Sequence, residues 1–127
     1  MIAYSNEIEE MMIADNTELA RFYGQTEFTL DDLSCLCRIR IGNHCFKRIQ
    51  SFRIMNNKKL QFIEIGKDCF VDPDGEEFVL SNCPILEQVS ISNDCFLCYS
   101  SYRLEGNIID GLSCRLAKSH PLVSWSR

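Results

Sequence analysis

The sequence predicts a repeat solenoid, mainly parallel β with little helix, of about four to five coils with 24–28 residues in each. Three observations carry that expectation. The stretch Leu60–Phe70, LQFIEIGKDCF, recurs as LCRIRIGNHCF at Leu36–Phe46 and as LEQVSISNDCF at Leu86–Phe96, with starts 24 and 26 residues apart. In each copy positions 1, 4, 6 and 11 are apolar, position 9 is polar (His44, Asp68, Asp94), and positions 10 and 11 read Cys-Phe. A second column runs beside the first, as Phe28-Thr29-Leu30, Phe52-Arg53-Ile54, Phe78-Val79-Leu80 and Tyr102-Arg103-Leu104. Two apolar residues around one outward residue is the pattern of a strand with one buried face, so each coil should carry a second short strand.

Position by position the copies resemble the leucine-rich repeat, LxxLxLxx(N/C)xL, through Leu60, Ile63, Ile65, Asp68 and Phe70 and their equivalents in the other copies. Gly42 and Gly66, followed by Cys-Phe, are similar to the IGxxAF turn of the BspA-like branch, and Cys83-Pro84-Ile85-Leu86 resembles its CxxL step. His or Asp replaces the usual Asn or Cys at position 9, where a turn hydrogen bond is expected. The strong resemblance covers about residues 28–102, with weaker echoes elsewhere, and implies a leucine-rich-repeat solenoid that binds proteins through the outward face of its main sheet.

Taken in order, residues 1–27 are expected to form a degenerate first coil. Ile8, Met11, Ile13 and Asn16 fit positions 1, 4, 6 and 9, and Gly24 and Gln25 close the coil. A helix competes there, because Asn6 to Glu9 resembles a capping box and Ile8, Met11, Met12 and Leu19 suit helical spacing. Residues 28–104 hold the regular coils, with ladders Ile41–Ile65–Ile91, Phe46–Phe70–Phe96 and Cys45–Cys69–Cys95. The lengthening between the last two copies falls at Val71-Asp72-Pro73-Asp74-Gly75, where Pro and Gly favour an outward loop that leaves the stack undisturbed. Residues 105–127 read as a decayed last coil or cap. A copy begun at Leu112 would put Arg115, Ala117 and His120 at apolar or ladder positions, and Pro121, Leu122, Val123 and Trp125 could fold over the open end.

A chain of 127 residues is expected to be one domain, and a net charge of −5 argues against nucleic acid or an anionic membrane as partner. The apolar runs are too short to span a bilayer. MIAYSNEIEE shows no basic region followed by an apolar one, so no signal peptide is expected. The eight cysteines then read as reduced thiols in a cytoplasmic protein.

No catalytic constellation is present in the sequence: nucleophile elbow, dinucleotide fingerprint, zincin motif and phosphate loop are all missing. No enzyme activity and no cofactor are expected. The cysteine column reads as small buried hydrophobes, and Cys95-Phe96-Leu97-Cys98 is a CxxC made of repeat residues. A zinc-binding or redox protein, with Cys35, Cys37, His44 and Cys45 as further ligands, is the alternative from another class. A fragment of a larger scaffold or receptor is a second alternative.

What remains is surface. On the main sheet positions 3, 5 and 7 point outward: Arg38, Arg40 and Gly42, then Phe62, Glu64 and Gly66, then Gln88, Ser90 and Ser92. Arg38, Arg40, Phe62, Glu64, Gln88 and Ser90 are the expected binding residues, with an aromatic beside Arg as the anchor type enriched at hot spots. The partner is expected to be a protein of unspecified identity. On the second column, Arg53, Val79 and Arg103 are the next candidates.

Overall fold

The structure, a computed structural model, describes residues 7–18, 26–92, 94–105, 113–114 and 124–125. Every coil contributes one strand to each of two parallel sheets. Sheet A is built from β1 (Glu10–Ile13), β3 (Arg38–Ile41), β5 (Phe62–Ile65), β7 (Gln88–Ile91) and β9 (Ser113–Cys114), in that order. Sheet B runs β2 (Glu27–Asp31), β4 (Ser51–Met55), β6 (Glu77–Ser81), β8 (Ser101–Glu105) and β10 (Ser124–Trp125). The fold is a parallel-β solenoid of about 3 turns, with no helix among the described residues. The expected four to five coils exceed that count. Full turns are traced from β2 to β8, while β1, β9 and β10 add strands at the two ends.

Register follows the repeat. Ile39, Ile63 and Val89 are ladder partners, as are Ile41, Ile65 and Ile91, and the flanking Phe28, Phe52, Phe78 and Tyr102 align in sheet B. A one-residue slip would turn every one of these side chains to water, so burial on one face sets the register. Met11 and Ile13 of β1 pair with Ile39 and Ile41, so this stretch of the N-terminal segment is a strand. At the other end β9 sets Cys114 opposite Val89, one residue earlier than a copy begun at Leu112. Leu19, Gly24, Gln25, Leu112, Arg115, Ala117, His120 and the cap residues Pro121, Leu122 and Val123 lie outside the described residues, as does the Trp125 side chain.

Two phenylalanine columns interlock in the core. Phe52 stacks on Phe70 at 4.5 Å and Phe78 on Phe96 at 4.6 Å, joining the turn of one coil to the sheet B strand of its neighbour. Phe46, Phe70 and Phe96 all adopt positive φ, between 53° and 59°. For an aromatic residue that backbone is costly, on the order of 1–2 kcal/mol each, and burial of the ring, worth about 1.5–3 kcal/mol, offsets it. Position 9 explains itself the same way. Asn16, His44, Asp68 and Asp94 have φ of 64°, 58°, 55° and 65°, the left-handed region that Asn, Asp and His tolerate best.

The lengthened turn does more than bulge outward. Sheet B register aligns Ile49, Gly75 and Tyr99 in one column. A Cβ at Gly75 would lie 2.2 Å from Cδ1 of Tyr99, because the tyrosine ring fills that place. Its hydroxyl donates to the carbonyl of Ile49, so the third coil is tied to the first through the gap in the second. The ladder register passes the insertion unbroken, as expected, and the adjustment is local: the Tyr99 ring fills the space beside Gly75.

Candidate functional site

The outward face of sheet A is drawn by the alternation of its strands. Inward residues of β3, β5 and β7 are 0–2% exposed. Between them stand two outward rows set by register: Glu10, Arg38, Phe62 and Gln88, then Met12, Arg40, Glu64 and Ser90. All six residues expected from the sequence are thus brought together. Each row steps about 4.8 Å per strand.

Contacts within the face are specific. The Arg38 guanidinium carbon lies 5.0 Å from the centre of the Phe62 ring, a cation–π arrangement. Arg40 Nε and Glu64 Oε2 are 2.9 Å apart, with both side chains about half exposed at 49% and 47%. So exposed a pair contributes at most about 1 kcal/mol. Next to it the glycine column opens a shallow groove of about 170 Å³, floored by Gly42 and Gly66 and edged by Arg40, Asn43, Glu64, Ser90 and Ser92. Glycine is required at position 66, since a Cβ there would meet the Gly42 carbonyl oxygen at 2.8 Å.

Asn43 at the groove edge, and Met12, which is 64% exposed, were not singled out by the sequence as part of this face, whereas Ser92 was placed on it. The expected repeat register of the first coil already makes Met12 position 5, and pairing with β3 puts it in the Arg40 row. A polar ladder does run along this side, but at position 8. The Lys67 amide donates to Asn43 Oδ1 at 2.9 Å, and the Asn43 amide donates to Asp15 Oδ1 at 2.8 Å. His44 and Asp68 approach to 3.3 Å on the turn below.

Sheet B offers less. Arg53 is clamped by Glu77 at 2.7 Å, with Glu27 at 3.9 Å. Val79, an outward candidate by alternation, is buried at 4% exposure between its ladder neighbours Arg53 and Arg103. Long arginine stems cover apolar surface in this way, so Val79 is not available to a partner. Asn57, also unnoticed in the sequence, is fully buried. It donates to the Leu30 carbonyl and accepts from the Leu33 amide, closing the turn of the coil before.

The cysteine column has a definite job. Cys45 donates its thiol to the Ala14 carbonyl at 3.1 Å, Cys69 to Gly42 at 3.1 Å and Cys95 to Gly66 at 2.9 Å, always position 10 to position 7 of the preceding coil. Burial pushes the Cys45 and Cys83 thiols up from their ordinary value. Hydrogen bonding with Cys95, then burial, pushes Cys69 up, and the same bond pulls Cys95 down. The upward direction governs the pair, because each sulfur must keep its proton to donate to a carbonyl. Among the described residues no three His, Cys, Asp or Glu side chains converge to hold a metal ion. No family model, curated protein or solved structure matches the chain at a significant level.

Proposed function

We propose that this chain is a leucine-rich-repeat solenoid of the BspA-like kind that binds a protein partner, without catalysis or cofactor, in the cytoplasm. The partner contacts Arg38, Arg40, Phe62, Glu64, Gln88 and Ser90 on the outward face of sheet A. One observation carries the reading: four of these side chains hold one another in pairs, Arg38 on Phe62 and Arg40 on Glu64, above strands paired in a parallel ladder. Interface groups fixed before binding lose little entropy when a partner arrives. Support for the repeat type comes from the leucines at 36, 60 and 86, all 0% exposed at the start of each sheet A segment. Support for a reducing compartment comes from thiols that serve as hydrogen-bond donors between coils.

The test is recovery of partners from lysate on wild-type protein and on the double variant Phe62→Ala/Arg38→Glu, each substitution first shown to melt like wild type. Loss of a specific partner from the double variant is expected. Unchanged binding of every recovered partner would remove this face from consideration.

A further inference from the structure

We infer that the sheet A face takes a short extended polypeptide segment of a partner, anchored by an internal Asp or Glu side chain on Arg38 and by an adjacent apolar side chain on Phe62. The inference rests on the binding role proposed for this face and specifies its occupant.

Size comes first. Four strands of four residues, each about 13 Å long, and the two-residue β9 beside them span about 19 Å, so the described face has a footprint of at most roughly 250 Å². A stable interface between folded proteins takes about 800 Å² from each partner. The described strip by itself is smaller than that and suits a segment of a few residues.

Charge selects what the segment carries. Arg40 is neutralised by Glu64, and Arg53 on the other sheet by Glu77. Arg38 differs: among the described residues no carboxylate lies within ion-pair distance of it. Glu10 is its ladder neighbour on β1, yet the guanidinium turns to the opposite neighbour, Phe62. Held 5.0 Å over the ring centre, the guanidinium has no described carboxylate on its N–H donors, which can take up a bidentate carboxylate. Pre-orientation by the ring removes part of the entropy that an arginine loses on binding. Phe62 and Met12, the latter 64% exposed, supply apolar contact on either side of the arginine row.

Selection of the full chain against phage-displayed random dodecapeptides tests this, since fusion blocks the peptide C-terminus and leaves only side-chain carboxylates. Enrichment of Asp or Glu next to an aliphatic or aromatic residue is expected. A selected peptide, made with an amidated C-terminus, should bind Arg38→Gln about tenfold or more weakly than wild type and bind Arg103→Gln unchanged. Arg38→Glu should recover affinity for the peptide in which Lys replaces the acid. Selected peptides without acids that still lose binding to Phe62→Ala would overturn the acidic anchor while keeping the face. Peptides indifferent to both Arg38 and Phe62, or a selection that yields no binder, would overturn the segment as occupant.

Discussion

Tyr99 donates its hydroxyl to the carbonyl of Ile49, fifty residues earlier, across the space where a side chain at Gly75 would stand. The three residues act as one unit, and their energetics should not add. Gly75→Ala is expected to cost about 1–3 kcal/mol by overpacking against the ring. In a Tyr99→Ala background the same change should cost much less, because removal of the ring vacates the place. Urea unfolding of the two single variants and the double variant measures the coupling. Equal costs of Gly75→Ala in both backgrounds would contradict the packing described.

The inward ladder gives a plainer expectation. Ile65 is 2% exposed while Lys67 is exposed on the turn. Ile65→Asp buries an unpaired charge and should unfold the chain, whereas Lys67→Asp should stay within about 0.5 kcal/mol of wild type. Similar melting temperatures for the two would refute the sheet A register.

Alkali should weaken the solenoid. The Cys69 thiol is raised above its ordinary value of 9.0 by its bond with Cys95 and by burial, and burial pushes Tyr102 up from 10.0 to about 12. A group whose folded value is raised binds its proton more tightly in the folded state, so its contribution is complete below the unfolded value and is lost as pH climbs. Stability should be flat up to about pH 8 and fall from about pH 9 to 12. Chemical denaturation across that range reads the effect, and Cys69→Ser should move the onset upward, since a serine hydroxyl does not ionise there. Native-state thiol labelling should reach Cys98, which is exposed, well before Cys45, Cys69 and Cys95.

Position 9 offers a backbone test. Asp94 is exposed with φ of 65°, so Asp94→Gly should be neutral or slightly stabilising. Asp94→Val should cost on the order of 1–2 kcal/mol, because a β-branched residue resists that conformation. Thermal melts of the pair suffice, and a tolerated valine would show that the turn relaxes elsewhere.

Much of this molecule was readable from residue order. The inward ladders and the pairings of Arg40 with Glu64 and Arg38 with Phe62 follow from copies 24 residues apart, since parallel register sets equivalent residues side by side. Tyr99 was not readable. Its reach to a carbonyl two coils away depends on a missing side chain in the coil between, and no local pattern encodes an absence. Val79 was misplaced because alternation says which way a residue points and not what its neighbours cover. At position 9 the expected turn hydrogen bonds form through the Asn16 and His44 backbone amides, the side chains suit a left-handed backbone, and a side-chain ladder runs one residue earlier at Asn43. Asn57 escaped notice because it stands in a column with Leu33 and Cys83, where an apolar residue seemed natural.

The hole at Gly75 also limits which pieces of this chain are interchangeable. The segment 36–59 closes on itself, and duplicating it would lengthen the stack by one equivalent turn. The coil that ends in Tyr99 has no such freedom. Set behind a turn of ordinary length, its tyrosine would meet an isoleucine where it needs a vacancy, and the coil with Gly75 moved elsewhere would leave a void that nothing fills. Residues 60–105 therefore form a single inheritable block, and any shuffling of coils, in evolution or at the bench, must carry that block whole.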